Sequence, residues 1–100
     1  MSRSTLDRIQ RLVLLRRVRL SRHALIDLQA GEFDMDGVEY SILNAARITS
    51  EPDEKRAAVD GKKHTLLGPD RAGLAFETVG KIVEGFEGEE YFIISAYEVK

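Results

Sequence analysis

The 100-residue chain contains no cysteine and only two histidines. Without thiols it can form neither a disulfide framework nor a thiolate zinc site, and no carboxylate lies at a known metal-site spacing from either histidine. We therefore expect no metal and no cofactor. A chain without cysteine also suits the reducing cytoplasm, which is the location that we expect for it.

Long apolar runs are missing as well. Gln10, Arg11, Arg16 and Arg17 interrupt the apolar residues near the N-terminus, so no segment resembles a signal-peptide core or a membrane span. The sequence also shows no glycine-rich phosphate loop, no Ser-His-Asp spacing and no nucleotide-binding fingerprint. We therefore expect no membrane-spanning segment, and the sequence offers no recognisable nucleotide-binding motif.

Charge is distributed unevenly along the chain. Residues 1–23 hold seven arginines and one acid, a balance of +6, whereas residues 24–100 carry a balance of −8. A basic front on an acidic body favours contact with RNA or with an acidic partner, or docking of the basic segment on its own body. The apolar content of 43% over 100 residues is typical of one globular domain, spanning residues 1–100.

Three helices are predicted in the first half. Ser4 can cap a broad amphipathic helix that runs to residue 17, Ser21 can cap a second helix, and Gly31 can end it in a left-handed conformation. A third helix is expected to begin at Asp34 or Asp36 and to end at residues 44–46.

The second half predicts strands. Residues 47–50, 64–67, 74–83 and 91–99 have strand character, with Gly80 as a bulge and a polar connection at 51–63 that we expect to be mobile or functional. The last strand is apolar on both faces and should therefore be interior. The predicted fold is α+β, with N-terminal helices packed on one face of a three- to four-stranded antiparallel sheet.

Three segments carry a resemblance to a known bacterial family. They are R-H-A-L at residues 22–25, L-L-G-P-D-R-A-G at 66–73 and I-I-S-A-Y-E at 93–98. Together they resemble the domain of unknown function 4258, over residues 18–99. That family is similar to small toxins of the BrnT and RelE type, many of which cleave RNA and are encoded beside an antitoxin protein. The resemblance implies two helices followed by a curved antiparallel sheet.

The resemblance implies a metal-independent ribonuclease. His23 and Tyr97 would be catalytic, with Arg22, Arg71 and His64 binding RNA phosphates, His64 as part of a basic patch with its neighbouring lysines. RNA and an antitoxin are then the expected partners. His23 is equally compatible with a helix-start histidine bonded to Asp27, which lies one turn later on the same face.

The alternative hypothesis is a non-catalytic interaction module on the same scaffold. The acidic body favours it, as does Gly31, which stands where the family frequently has an arginine. In that case the N-terminal helix, residues 1–17, would bind a partner or form a homodimer.

Overall fold

A computed structural model describes residues 4–99 of the chain as three helices and one five-stranded sheet. In chain order the elements are α1 (Thr5–Leu14), β1 (Val18–Leu20), α2 (Arg22–Gln29), α3 (Met35–Leu43), β2 (Arg47–Pro52), β3 (Lys62–Pro69), β4 (Ala75–Gly85) and β5 (Gly88–Glu98). The α+β class predicted from the sequence is confirmed.

The sheet has more strands than expected, and it is mixed. Its order is β1-β5-β4-β3-β2, with β1 parallel to β5 and the other neighbours antiparallel. The expectation of three or four antiparallel strands is therefore corrected. Residues 18–20, expected as an extended link, pair with Tyr91 to Ile93 and form an edge of the sheet. β5 is interior, as its two apolar faces predicted.

The predicted caps at Ser4 and Ser21 form, and of the two starts expected for the third helix the structure has Asp34 as the cap, with Asp36 in the first turn. The side chains of Ser4, Ser21 and Asp34 each accept a hydrogen bond from a backbone N–H three residues later, at 3.1, 3.0 and 2.6 Å. Each bond satisfies one of the free donors of a first helical turn. Gly31 adopts a φ of 81° after α2, as the sequence predicted.

One apolar cluster joins the helices to one face of the sheet. Its fully buried members are Ile9 of α1, Ala24 of α2, Val38 and Ile42 of α3, and the strand residues Ile82, Tyr91 and Ile93. Because successive strand residues point to opposite faces, Lys81 and Phe92 point away from this cluster. The second face of the sheet is therefore left for the 53–61 connection and for the first turn of α2.

The irregularity predicted at Gly80 is a register shift between Val79 and Gly80, but the extra residue belongs to β5: Val79 pairs with Ser95 and Gly80 with Ile93, which leaves Ile94 unpaired. The ring of Tyr91 lies directly over it, and a Cβ at position 80 would stand 2.6 Å from Tyr91 Cζ. The absence of a side chain at position 80 thus lets a large buried aromatic ring approach the backbone of β4.

The polar connection after β2 folds back over β4. The Asp53 N–H donates to the Gly61 carbonyl at 2.9 Å, and the Val59 N–H donates to the Ile82 carbonyl at 2.7 Å. These bonds hold the connection against the sheet, where it covers Lys81.

Candidate functional site

A cleft of about 680 Å³ lies between the first turn of α2 and the connection after β2. We call it the α2 cleft. Its lining combines basic, acidic and apolar side chains: Arg22, His23, Lys55, Lys63 and Lys81; Glu51, Asp53 and Glu54; Pro52, Phe92 and Ile94; with Ser21 at its edge.

Ser21 fixes the basic wall of the α2 cleft. Its N–H donates to the Ile93 carbonyl and its hydroxyl donates to the Ile94 carbonyl, both at 2.8 Å, while the same hydroxyl oxygen caps α2. Since one residue ties the start of α2 to β5, Arg22 and His23 project from a rigidly placed first turn.

His23 is accessible rather than packed on the sheet. Its side chain is 69% exposed, and Nε2 lies 3.3 Å from the Asp27 carboxylate one turn later. That contact agrees with the predicted shared helix face. The carboxylate lies beside Nε2, so Nδ1 is the ring nitrogen that can act as a proton acceptor.

An ion pair forms the deepest part of the α2 cleft. Lys81 Nζ lies 3.3 Å from both carboxylate oxygens of Asp53, and the two residues are 5% and 8% exposed. Asp53 also accepts the N–H groups of Ala57 and Ala58, both at 2.9 Å, and of Lys55 at 3.3 Å. The carboxylate thus holds the connection and Lys81 together.

Those contacts keep Asp53 ionised. Burial acts to raise its pKa, but hydrogen bonds from the Ala58 N–H, from the Lys81 ammonium and from the Ala57 and Lys55 N–H groups lower that pKa below its ordinary value. Asp53 therefore neutralises the charge of Lys81.

The other cations of the α2 cleft, Arg22, Lys55 and Lys63, are called its outer cations, and they are less tightly held than Lys81. Lys63 Nζ lies 3.2 Å from Glu51 Oε1, and both side chains are substantially exposed. Arg22 and Lys55 are also exposed. Phe92 adds an aromatic face, with the Arg19 guanidinium 5.7 Å from its ring centre. Exposed cations beside an aromatic ring suit the phosphates and bases of a nucleic acid strand.

The structure unites only two of the five residues predicted for the site. Arg22 and His23 line the α2 cleft, whereas Tyr97 and Arg71 do not. Tyr97 is half exposed on β5 and donates to Glu77 at 3.2 Å; partial burial and the Glu77 charge raise its pKa. Arg71 stacks on Tyr40, with 5.1 Å between guanidinium and ring centre, and lines a separate cavity.

His64 requires a correction. The sequence placed it in a surface patch with neighbouring lysines, but the imidazole is fully buried and bonded to Ser50 and Asp60. Strand alternation explains the difference, since Lys63 points to one face of β3 and His64 to the other. An RNA strand on the surface does not reach this ring.

Sequence reasoning missed Asp53 and Lys81. One signal was present: Lys81 lies between Val79 and Val83 on one strand face, and a lysine among apolar neighbours requires a buried partner. Nothing local identifies that partner, because Asp53 precedes Lys81 by 28 residues.

Comparisons with protein-family models, with curated proteins and with solved structures found no match to this chain. Among residues 4–99, no helix has the length and apolar character needed to cross a bilayer. Within the same range, no group of three or more histidine and carboxylate side chains is arranged to hold a metal ion.

Proposed function

We propose that the protein binds single-stranded RNA in the α2 cleft and cleaves it without a metal ion. One observation carries this proposal: an exposed His23, with the Asp27 carboxylate beside its Nε2, and the adjacent Arg22 open onto the same cleft as Lys55 and Lys63. RNA cleavage of this kind needs a base for the 2′-hydroxyl and a cation for the phosphate, and both are present.

The reaction would use the neighbouring 2′-hydroxyl as nucleophile. His23 Nδ1 takes the hydroxyl proton while the 2′ oxygen attacks phosphorus. The bond to the 5′ oxygen breaks, and that oxygen takes a proton from a water molecule. The hydroxide so formed recovers the proton held by His23, and a 2′,3′-cyclic phosphate remains. Arg22 stabilises the developing charge on the phosphate oxygens. Phe92 offers a surface on which a flanking base can stack.

Purified protein incubated with single-stranded RNA in EDTA tests the activity. Wild type should produce fragments ending in 2′,3′-cyclic phosphate, and His23→Ala should reduce the rate by about 100-fold or more, the usual contribution of a general base. Arg71→Ala is the matched control, because Arg71 lies outside the α2 cleft. Intact RNA with wild type, or equal rates with His23→Ala, would refute the proposal.

The resemblance to toxin families predicts what the protein would do in a bacterial cell. The protein would act on cytoplasmic RNA and be restrained by an antitoxin protein. Its expression alone in bacteria should arrest growth, and His23→Ala should relieve the arrest. Harmless expression of folded wild type would argue against a toxin.

A second candidate function is a homodimeric interaction module. Leu14 and Leu15, adjacent at the end of α1, are 67% and 59% exposed. Exposed apolar side chains at the end of an otherwise packed helix favour contact with a second copy of the chain. Leu12, by contrast, is buried in the domain and contributes nothing to such a surface.

A further inference from the structure

Ser50, His64 and Asp60 form a continuous hydrogen-bonded trio on the sheet face opposite to Lys63. Ser50 Oγ lies 2.7 Å from His64 Nδ1, and His64 Nε2 lies 2.9 Å from Asp60 Oδ2. Ser50 is exposed, His64 is fully buried, and the Asp60 side chain is 21% exposed. Only the imidazole in the middle of the trio is fully buried, and Ser50 is the more exposed of the two ends.

The strand register fixes the Ser50–His64 contact. The two residues are direct partners across β2 and β3. Farther along the same ladder, the Asp53 N–H donates to the Gly61 carbonyl. Ladder hydrogen bonds alternate in antiparallel pairs, so Ser50 and His64 form a non-hydrogen-bonded pair, in which side chains are closest.

The same alternation directs the Ser50 N–H outward. β2 is an edge strand, and a residue in a non-hydrogen-bonded pair points its N–H away from its partner strand. The N–H of Ser50 thus lies at the open edge of the sheet, beside its own hydroxyl. A backbone N–H at this place can donate to an oxyanion that forms on a group bonded to Oγ.

Asp60 sets the orientation of the imidazole. Its Oδ1 accepts the Lys62 N–H at 3.0 Å, which leaves Oδ2 directed at His64 Nε2. Because a carboxylate accepts hydrogen bonds, this contact assigns the ring proton to Nε2 and leaves Nδ1 as the acceptor for the Ser50 hydroxyl. The charge of Asp60 also adds to burial in raising the pKa of Tyr91.

We propose that Ser50 is a nucleophile activated by His64 and Asp60, and that it hydrolyses carboxylic esters through an acyl-serine. Ser50 Oγ attacks the carbonyl carbon while His64 Nδ1 takes the hydroxyl proton. The bond to the alcohol oxygen then breaks, and that oxygen receives the proton from Nδ1. Water attacks the acyl-serine in the same way, so ester and water yield acid and alcohol.

The surroundings of Ser50 limit the substrate class. Ser50 lines neither the α2 cleft nor the cavity beside Arg71. A hydroxyl outside both of these cavities favours small unhindered esters such as acetyl esters. This site is separate from the proposed RNA site, since Glu51 and Lys63 point to the other face of the sheet.

Cysteine substitution gives the sharpest test, because the natural chain contains no cysteine. In Ser50→Cys, the imidazole should activate the thiol, and iodoacetamide at pH 7 should alkylate it about 10-fold faster than the thiol of Thr49→Cys. Thr49 is exposed on the same strand but points to the opposite face. Adding Asp60→Asn to Ser50→Cys should remove most of the difference. Equal alkylation rates for the two single variants would overturn the activation of Ser50.

The natural serine is tested with p-nitrophenyl acetate and a fluorophosphonate. Wild type should hydrolyse the ester and become phosphonylated at Ser50, with loss of fluoride and the hydroxyl proton. Ser50→Ala should lose both reactions, and Ser95→Ala, which alters a half-buried serine on β5, should keep both. If folded wild type shows neither reaction, or if the phosphonyl group is found on other hydroxyls, the proposal is wrong. Ser50 and Asp60 would then only form hydrogen bonds to a buried imidazole.

Discussion

Lys81 Nζ lies equally close to both carboxylate oxygens of Asp53, at 3.3 Å, although the two residues belong to different parts of the chain. Asp53 also accepts three backbone N–H groups of the connection after β2. One carboxylate therefore joins the connection to β4 and shapes the deepest part of the α2 cleft. Its ionisation should be linked to the stability of the fold.

We expect Asp53→Asn to lower the melting temperature by several degrees at pH 7 and by less at pH 3. The pKa of Asp53 is lower in the folded protein than its ordinary value. Such a group stabilises the fold above its unfolded pKa, and that stabilisation is lost as pH falls through the folded pKa. Thermal melts of wild type and variant from pH 7 to pH 3 measure the difference.

Glu54→Gln provides the control, because Glu54 is exposed and adjacent to Asp53. Its melting temperature should follow that of wild type at every pH. A difference between Asp53→Asn and wild type that stays constant from pH 7 to pH 3 would contradict the role of the Asp53 charge.

Gly80→Ala should destabilise the protein by about 1–3 kcal/mol, the usual cost of overpacking a core. The new methyl carbon would lie 2.6 Å from Tyr91 Cζ and 2.8 Å from the Phe92 carbonyl oxygen, and neither the buried ring nor the backbone can move away easily. Urea denaturation followed by circular dichroism measures the change in the free energy of unfolding.

Gly37→Ala is the comparison for Gly80→Ala. A Cβ at position 37 would contact only the Asp34 side chain, at 3.2 Å from Oδ1, and alanine is favoured within a helix. The free energy of unfolding should therefore change by less than about 1 kcal/mol. Equal destabilisation by both substitutions would mean that the approach of Tyr91 does not explain the glycine at position 80.

The sequence predicted the features of the fold that depend on neighbouring residues. The caps at Ser4 and Ser21 and the left-handed Gly31 follow from one helical turn each, so local chemistry determines them. The interior position of β5 followed from apolar residues on both of its faces. The β1 strand had no comparable signal, since Val18 pairs with Tyr91 and three residues are too few for a pattern.

In the candidate sites too, the sequence predicted only what depends on neighbouring residues. Arg22 and His23 are adjacent in the sequence, so a local motif found both of them. Lys81 and Asp53 meet only after the connection folds over the sheet, and Ser50 meets His64 only in one particular register. A one-residue slip of β2 would direct Ser50 to the other face. Pairings of this kind become visible only when the tertiary structure is known.

If RNA binds in the α2 cleft, its outer cations should determine the salt dependence of affinity. Lys63→Gln and Arg22→Gln should each weaken binding of single-stranded RNA and reduce the slope of log K against log salt by about 0.7, the value for one phosphate contact. Arg71→Gln should change neither quantity, because Arg71 stacks on Tyr40 outside the cleft. Fluorescence anisotropy with His23→Ala protein, from 50 to 200 mM salt, avoids cleavage during the titration. Equal slopes for the His23→Ala protein and its three glutamine variants would mean that the RNA binds outside the α2 cleft.

A homodimer formed through α1 would depend on Leu14 and Leu15. Replacing both with glutamate should convert a dimer to a monomer, because two charged side chains would have to be buried in an apolar contact. The fold itself should persist, since both leucines are exposed and the buried face of α1 consists of other residues. Light scattering after size-exclusion chromatography measures the mass, and Gln29→Glu on α2 serves as a control for added surface charge. A wild-type mass of one chain at high protein concentration would rule out the homodimeric module. The RNA proposal would not be affected, because Arg22 and His23 line the α2 cleft within a single chain.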